Sequence, residues 1–241
     1  MVTDQPAMDT RLRPFEAIKA VRRLLNNPED TSQVFIIFRA MRGRSALRTF
    51  RRFAASTTGA SVLRERRSLL ATLENKDAMM QHPAGSVGRA YVDFMEGQNL
   101  TADGLVQASQ SWEQDIVPPD VSLFRARMRD AHDLNHVLTG YGRDRLGEIC
   151  LLAFMYAHTG NLGMAMIVAM GLKRMPAVAR PAVIEAWRHG RKARWLSDQD
   201  YEALLPRPLA EVRRNLSIAD PARYHAVNIE RILPKSIAPA T

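Results

Sequence analysis

The 241-residue sequence predicts an all-α fold: a single multi-helix domain that contains a metal-binding helical hairpin and an apolar channel. Strand patterns are almost absent, because the one β-rich run, Val34–Phe38, lies in a helix-like frame. Elsewhere, apolar residues recur at helical spacing between prolines, glycines and capping residues. We find no internal repeat, low-complexity segment or interdomain linker, so the sequence predicts one domain.

Chain length and cysteine content set the first limits. A chain of this length can bury about 70% of its unfolded surface in one core, so folding requires neither a disulfide nor a metal. The single cysteine, Cys150, cannot form an internal bridge, which is typical of a reducing compartment. No secretory signal is visible at the start. We predict a flexible N-terminus over 1–12, an all-helical domain over 13–218 and a loosely ordered tail over 219–241.

The first quarter of the chain is rich in arginine. Residues 1–67 contain 14 Arg and Lys against 6 Asp and Glu, within a net charge of +9 for the whole chain. The pattern predicts helices at about 13–25, 31–42, 45–56 and 60–80. The polar faces of the second and third helices carry Arg39, Arg42, Arg44, Arg48, Arg51 and Arg52. These faces are either simply solvated or form a basic surface toward anionic lipid headgroups or a partner protein.

Capping and breaking residues place the later helices. The predicted helices span about 87–97, 101–115, 119–139, 145–172, 182–194, a short helix from 197 onward, and 208–216. Ser86 caps the first of them, and Asp144 caps the fourth. Gly140-Tyr141-Gly142 ends the helix that begins at Pro119. Beyond Asp220 the chain shows no helical pattern.

From Ile149 to Leu172 the chain has 24 residues without a charged side chain. The length of this run would allow a membrane-spanning helix. The run also contains three glycines and the polar residues His158, Thr159 and Asn161. A buried core helix with a polar interruption is therefore favoured over a membrane span.

The chemistry of the sequence is concentrated in His132-Asp133-Leu134-Asn135-His136, followed by eleven residues and then Glu148. Residues four apart share a helix face, so His132 and His136 can bind one metal ion. Asp133 is rotated by about 100° from His132, and it is either a direct ligand or a carboxylate that orients an imidazole. Glu148 arrives from the next helix after the glycine turn. Two imidazoles with one or two carboxylates suit Zn²⁺ with an open position, or non-haem iron.

Three other interpretations fit parts of this motif. The first is a salt-bridged polar cluster in which the histidines interact with Asn135 or Arg129. The second is a metalloprotease, but H-E-x-x-H enzymes need a glutamate where this chain has Asp133. The third is an HD-type phosphohydrolase, which needs distant ligands. No second His-Asp pair is found among the other histidines, which are His82, His158, His189 and His225.

The motif and its surroundings resemble the ubiquinone (coenzyme Q) biosynthesis protein 4 family. The resembling segments are His132–Gly142 with Leu146-Gly147-Glu148, and also Pro83–Tyr91, Leu151–Phe154 and Leu209–Arg213. The similarity covers roughly residues 75–216, and the His-Asp-x-x-His and Glu spacing is its specific part. The arginine-rich residues 1–67 are not matched.

The resemblance implies an all-helical ubiquinone biosynthesis protein with a divalent metal. The metal would be Zn²⁺, with Fe²⁺ or Mn²⁺ as alternatives. The implied reaction is (oxidative) decarboxylation of a polyprenylated hydroxybenzoate-type intermediate. Gly140 and Gly142 would form the turn that brings the ligands together. The residues that would both bind the metal and carry catalysis are His132, Asp133, His136 and Glu148.

The implied partners are a polyprenylated aromatic lipid, an anionic membrane surface, other ubiquinone biosynthesis proteins and a second copy in a homodimer. No nucleic-acid partner is expected, because aromatic residues are not interleaved with the arginines as stacking platforms. The expected location is cytoplasmic and peripheral to the inner membrane of a bacterium, or the mitochondrial inner membrane of a eukaryote. A polyprenyl tail needs an apolar channel, although plain core packing explains the same side chains equally well. The candidate lining residues are Phe154, Met155, Met164, Met166 and Met170.

The alternative function is a non-catalytic prenyl-lipid-binding scaffold that organises ubiquinone biosynthesis enzymes. In that case the histidine and carboxylate cluster is only structural. An open coordination position that faces the channel would favour catalysis, whereas a closed four-ligand site would favour the scaffold.

Overall fold

The structure, a computed structural model, describes residues 10–27, 30, 32–98 and 117–227 of the chain. These residues form helices joined by short turns and contain no β-strand, which confirms the all-α prediction. The predicted helix at 101–115 lies outside the described residues. So do residues 1–9 and the tail from residue 228 onward, and the domain limits 13–218 stay a prediction.

The described residues form fifteen α-helices and two short 3₁₀ turns. The helices are α1 (Pro14–Asn26), α2 (Ser32–Ala40), α3 (Gly43–Ala55), α4 (Thr57–Glu65), α5 (Leu69–Glu74), α6 (Lys76–Met80), α7 (Val87–Gly97), α8 (Pro119–Asp130), α9 (His132–Thr139), α10 (Arg145–Thr159), α11 (Leu162–Arg174), α12 (Arg180–Lys192), α13 (Tyr201–Leu204), α14 (Leu209–Asn215) and α15 (Ala222–His225). The 3₁₀ turns are Ala177–Ala179 and Leu196–Asp198.

Helix α10 runs through the largest hydrophobic cluster and packs most extensively against α12, with α11 on another side. The two backbones of α10 and α12 approach closely at Gly190, where a Cβ atom would lie 2.4 Å from the carbonyl oxygen of Phe154. Leu146 and Phe154 have no exposed surface. The strong burial of α10 fixes the helix that carries Glu148.

Two smaller clusters complete the core of the described residues. One joins α1, α2 and α11 through Ala20, Val21, Ile37 and Ile167. The other contains Phe53, Val62, Phe124 and Trp195, and in it the rings of Phe53 and Phe124 lie 4.9 Å apart. Helices α1 and α2, from the arginine-rich first quarter of the chain, therefore pack onto α11 and belong to the same folded body.

Several predicted helix ends are confirmed by their capping contacts. The Ser86 side chain accepts the backbone N–H of Arg89 at the start of α7. Asp144 accepts the N–H groups of Leu146 and Gly147 at the start of α10. Gly140 ends α9 in the left-handed conformation, with φ +79°, which favours glycine.

The single helix predicted at 60–80 is wrong, because α4, α5 and α6 replace it. Arg66 ends α4 in the left-handed conformation with φ 54°. The side chains of Ser68 and Asn75 then accept backbone N–H groups and start α5 and α6. Short polar side chains that bond their own backbone compete with a continuous helix.

Two other long helices are also divided. The helix predicted over 119–139 is interrupted at Ala131, where ψ is −5°. The helix predicted over 145–172 is interrupted at Gly160, where φ is +63°, and Asn161 caps the next helix by accepting the N–H of Gly163. The uncharged run is therefore divided between two helices, α10 and α11, that pack against each other. Among the described helices none combines the length and apolarity that a membrane crossing needs.

The last part of the chain differs from the prediction in two places. The helix expected from Ser197 begins at Tyr201, where Asp200 accepts the N–H of Ala203. No helix was expected beyond Asp220, yet α15 forms there and packs against α12. A single helical turn carries too little periodicity to be recognised, so its stability comes from this long-range packing.

Candidate metal centre

The helix that carries both histidines, α9, is held at its C-terminal end by a side chain from α14. Arg213 donates to the carbonyl oxygens of Val137 and Leu138 at 2.8 and 2.9 Å. Carbonyl groups at a helix C-terminus lack partners within the helix, and a cation there also interacts favourably with the helix dipole. The side chain of Arg213 therefore satisfies the end of α9 next to the Gly140 turn.

The four-residue spacing places the two imidazoles side by side, as predicted. The rings of His132 and His136 lie 4.7 Å apart, centroid to centroid. Phe94 of α7 stacks on His136 with a centroid distance of 5.7 Å. The His136 side chain is fully buried, whereas the His132 side chain is 30% exposed. One imidazole thus faces the core and the other lies at the opening of the site.

Glu148 reaches both imidazoles from α10. Its Oε2 atom lies 3.6 Å from Nε2 of His132 and 3.5 Å from Nε2 of His136. The approach of α10 to the turn is very close at Gly147, where a Cβ atom would lie 2.0 Å from the carbonyl oxygen of Gly142. Because Glu148 follows Gly147 directly, this contact places the carboxylate beside the histidines.

His136 has one ring nitrogen bonded and the other bare. Its Nδ1 lies 2.9 Å from the carbonyl oxygen of Tyr141, and because a carbonyl only accepts, Nδ1 carries the proton. Its Nε2 is buried and makes no hydrogen bond to any described residue. A buried polar atom without a partner calls for an explanation, and a ligand is one. A lone pair on Nε2, with Nδ1 fixed by a carbonyl, is the arrangement of a metal-binding histidine.

Asp133 contacts the other imidazole. Its Oδ1 lies 3.2 Å from Nδ1 of His132, so the carboxylate can orient that ring with Nε2 toward Glu148. Ligand atoms from His132, Asp133 and His136 also all lie within 4.8 Å of one another. Both sequence interpretations of Asp133 therefore stay open.

The carboxylates and imidazoles stabilise one another's charges. Burial lowers the pKa of His132, but its bonds to Asp133 and Glu148 outweigh burial and raise the pKa to about 9. Burial raises the pKa of Asp133 and Glu148, but the nearby imidazoles of His132 and His136 outweigh burial and hold both carboxyl groups below their ordinary pKa. Two carboxylates that favour a proton on His132 would equally favour a divalent cation in its place.

The residues present fit a divalent metal. His132 and His136 would offer Nε2, and Glu148 would offer Oε2, which gives two nitrogen donors and one oxygen donor. The side chains of His132 and Glu148 are 30% and 33% exposed, so the cluster is open on one side. A zinc site that performs catalysis keeps a position for water or substrate, and the open side would provide it.

Sequence reasoning missed two neighbours of this cluster. The Nε atom of Arg143 lies 3.4 Å from Oε1 of Glu148, on the oxygen that does not face the histidines. The second is Phe94, which comes from a helix distant in sequence.

The contacts that the salt-bridged alternative assumed differ from those observed: the Asn135 side chain accepts from the hydroxyl of Tyr201, and Arg129 donates to Asp130.

The predicted lining of an apolar channel is divided between two places. Phe154 and Met155 belong to the largest hydrophobic cluster, which α10 crosses. Met166 and Met170 pack against the separate cluster of α1, α2 and α11. Plain core packing accounts for these contacts, and the channel itself stays a prediction.

Comparison with known proteins gives one family. The family model described as coenzyme Q (ubiquinone) biosynthesis protein Coq4 matches residues 13–222. It extends the similarity from the motif region back into the arginine-rich helices, which the sequence comparison by motif did not match.

Curated relatives agree with this family. A protein from Podospora anserina named "Ubiquinone biosynthesis protein COQ4, mitochondrial" is 27% identical over 198 residues, which is 80% of this chain. A Sclerotinia sclerotiorum relative is 31% identical over 69% of the chain, and a Danio rerio homologue is 27% identical over 88%. The matched part spans 61% of the Podospora protein, 59% of the Sclerotinia protein and 78% of the Danio protein.

A crystal structure of a putative ubiquinone biosynthesis protein from Nostoc punctiforme has a similar fold. The TM-score is 0.64, and the match covers 87% of this chain and all of the other. The sequence identity is 19%, so the likeness supports the helical architecture alone.

Proposed function

The chain belongs to the coenzyme Q (ubiquinone) biosynthesis protein Coq4 family, and from this premise we propose that it removes the ring carboxyl group of a polyprenylated hydroxybenzoate-type intermediate at a divalent metal centre. His132, His136 and Glu148 would be the ligands, and Asp133 would ligate the metal or orient His132. Zn²⁺ is the proposed metal, with Fe²⁺ and Mn²⁺ as alternatives.

The observation that carries this proposal is the bare Nε2 of His136. It is buried without a hydrogen bond among the described residues, 3.5 Å from a carboxylate oxygen that lies equally near the second imidazole. Nδ1 of His189 is also buried without a hydrogen bond, but among the described residues only Nε2 of His136 faces a carboxylate that a second imidazole also approaches. A buried polar group without a partner costs about 1–3 kcal/mol, and a cation bound between these three groups would offset that cost.

The chemistry follows from the placement of charges. When bound, the divalent cation would supply Lewis acidity that stabilises negative charge on the substrate during loss of the carboxyl group. Arg143 stands at the exposed edge beside Oε1 of Glu148, where its guanidinium could pair with the substrate carboxylate. In the simple reaction carbon dioxide leaves and a proton takes up the electron pair left on the ring carbon. In the oxidative reaction carbon dioxide also leaves, a hydroxyl group from water replaces it on the ring, and dioxygen accepts two electrons and two protons to become hydrogen peroxide. Asp133, in the arrangement in which it orients His132 and is not a ligand, would carry the proton of the simple reaction.

The metal content of purified variants tests the site. We expect about one divalent metal per chain in the wild type, and essentially none after replacement of both His132 and His136 by alanine, because the two nitrogen donors are lost. His189→Ala is the matched control, since this histidine lies on α12 and its buried Nδ1 has no hydrogen-bond partner among the described residues. Elemental analysis measures the result, and stoichiometric metal in the double variant would reject the assignment.

The same variants separate catalysis from the scaffold alternative. In a strain that lacks this chain, a carboxylated prenylphenol should accumulate and the quinone pool should fall. The His132→Ala/His136→Ala variant should fail to reverse either change. Full restoration by that variant would favour the scaffold, and an unchanged quinone pool in the deletion strain would reject a role in the pathway.

For the membrane partner we propose the outer face of α1. It exposes Phe15 (81% exposed) and Ile18 (40% exposed), one helical turn apart. Lys19, Arg22 and Arg23 of the same helix are exposed as well. A short helix that presents apolar side chains flanked by cations is suited to the surface of an anionic bilayer. The predicted arginine face of α2 and α3 is less uniform, because Arg42 is buried and Arg39 pairs with Glu16.

Cosedimentation with vesicles tests this face. Phe15→Ser combined with Ile18→Ser should weaken binding to phosphatidylglycerol vesicles by about tenfold or more, because burial of one large apolar side chain contributes roughly 1.5–3 kcal/mol. Val178→Ser is the control, since Val178 is 53% exposed and lies outside α1. Equal binding by both variants, or no preference for anionic over neutral vesicles, would contradict the proposal.

A further inference from the structure

The side chain of Tyr224, from the short helix α15, reaches the turn between the two helices of the candidate centre. Its hydroxyl oxygen accepts the backbone N–H of Gly142 at 2.9 Å. The hydroxyl donates in turn to Oδ2 of Asp144. The tyrosine hydroxyl therefore acts both as an acceptor, for Gly142, and as a donor, to Asp144.

The peptide group that Tyr224 contacts is the one that His136 contacts from the other side. The carbonyl of Tyr141 and the N–H of Gly142 belong to the same peptide. The carbonyl accepts from Nδ1 of His136 at 2.9 Å, while the N–H donates to Tyr224. Hydrogen bonds in such a chain polarise one another, so the bond at the N–H makes the carbonyl a stronger acceptor. A stronger acceptor of the Nδ1 proton makes Nε2 more basic and therefore a stronger metal ligand.

On its other side, the hydrogen-bond series through Tyr224 leads to the helix that carries Glu148. Oδ1 of Asp144 accepts the N–H groups of Leu146 and Gly147 at 2.9 and 3.1 Å, which starts α10. Tyr224 is thus bonded, through one peptide, to His136, and through one carboxylate, to the helix that carries Glu148. The turn and both candidate-ligand helices share this single hydroxyl.

The packing around Tyr224 holds the hydroxyl in place. Its ring meets the ring of Tyr141 edge to face, with a centroid distance of 5.5 Å and an interplanar angle of 77°. The N–H of Arg223 donates to Glu185 of α12, which fastens α15 to the core. A Cβ atom at Gly142 would lie 2.6 Å from the Tyr224 hydroxyl oxygen, so a side chain there would displace it.

We propose that Tyr224 is a positioning residue of the centre: it fixes the Tyr141–Gly142 peptide that holds His136 with its Nε2 bare and directed at Glu148. The fixed tautomer of His136 does not depend on a metal. The expected effect on metal affinity rests on the proposed function.

The test compares Tyr224→Phe with Tyr156→Phe, a control on α10 about two turns beyond Glu148. In metal-free protein labelled with ¹⁵N, the wild type and the control should show His136 protonated at Nδ1. In Tyr224→Phe the ¹⁵N chemical shifts of the two His136 ring nitrogens should move toward each other, as they do in a mixture of tautomers. Co²⁺ added as the probe should bind about tenfold more weakly to Tyr224→Phe than to the control.

An unchanged His136 spectrum together with unchanged Co²⁺ affinity in Tyr224→Phe would overturn the inference. A shifted spectrum supports it even where wild-type protein binds no Co²⁺, and that result would count against the proposed metal centre alone. If Tyr224→Phe does not fold, Asp144→Asn serves instead, because it keeps a capping oxygen for α10 but weakens the acceptor of the tyrosine hydroxyl. The same shift is then expected, and its absence rejects the role.

Discussion

Gly147→Ala is expected to force α10 away from the turn at Gly142 and to lower the free energy of unfolding by about 3 kcal/mol. The added Cβ would lie 2.0, 2.7 and 2.9 Å from the carbonyl oxygen, carbonyl carbon and nitrogen of Gly142. These are backbone atoms, which cannot rotate aside as a flexible side chain can. Helix propensity alone would favour alanine by about 1 kcal/mol. A loss of stability in Gly147→Ala would therefore be due to the clash of the added Cβ with Gly142. Glu148 should move with α10 and separate from the histidines.

Urea unfolding and metal content measure this result together. Gly97→Ala is the matched control, because Gly97 lies in α7 and its added Cβ would meet no described atom within 4 Å. That variant should be neutral or slightly stabilised, since alanine restricts the unfolded chain more than glycine. Equal stability of the two variants would show that the turn yields without strain, and would contradict the close approach.

Glu202→Ala is expected to destabilise the fold by about 3–5 kcal/mol, since it leaves a buried guanidinium without its partner. The Arg127 side chain has no exposed surface, and its two terminal nitrogens donate to Glu202 at 2.7 and 2.6 Å. Arg127 also lies over the ring of Tyr201, whose hydroxyl donates to Asn135 within the histidine motif. Through Tyr201, the Arg127–Glu202 pair therefore helps to hold α9 in place at Asn135.

The same pair gives a pH dependence. Burial raises the pKa of Glu202, but its bonds to Arg127 outweigh burial and hold the pKa below the ordinary 4.5. The folded state thus binds the proton less tightly than the unfolded state, so the contribution is complete above pH 4.5 and is lost as the pH falls below it. Unfolding measured along an acid series should show this loss in the wild type and lack it in Glu202→Ala.

A surface pair provides the control for Glu202→Ala. Glu211 pairs with Arg207 on the exposed side of α14, so Glu211→Ala should leave the unfolding free energy nearly unchanged. Replacing both members of the buried pair, Arg127 by Met and Glu202 by Leu, should recover most of the lost stability. A loss in Glu202→Ala no larger than in Glu211→Ala would show that water reaches the guanidinium.

Much of the fold could be predicted from local signals. Ser86, Gly140 and Asp144 bond or bend their own backbone, so the helix ends at these residues follow from nearby sequence. The divisions at Ala131 and Arg66 carry no such signal, because neither residue type favours a break. Gly160 and Asn161 did carry a signal, but the length of the uncharged run concealed it.

The candidate centre shows the same limit. His132 and His136 meet because of a four-residue spacing, and Glu148 follows through a short turn, so all three could be placed from sequence. Phe94 and Tyr224 come from distant segments that only tertiary packing brings to the site. No spacing rule relates such residues to the motif, and the tail that holds Tyr224 shows little periodicity.

The position of Tyr224 in the chain has a consequence for biosynthesis. A ribosome makes all four candidate ligands before Tyr224, whose hydroxyl binds their connecting turn and follows 82 residues after Gly142. A nascent chain can therefore form α9 and α10 while the turn is still without this anchor, because contacts of large sequence separation form late. A product truncated just before α15 would keep every candidate ligand but lack the Tyr224 hydroxyl. Its motif would be complete in sequence, while the turn between the ligand helices would not be held in place.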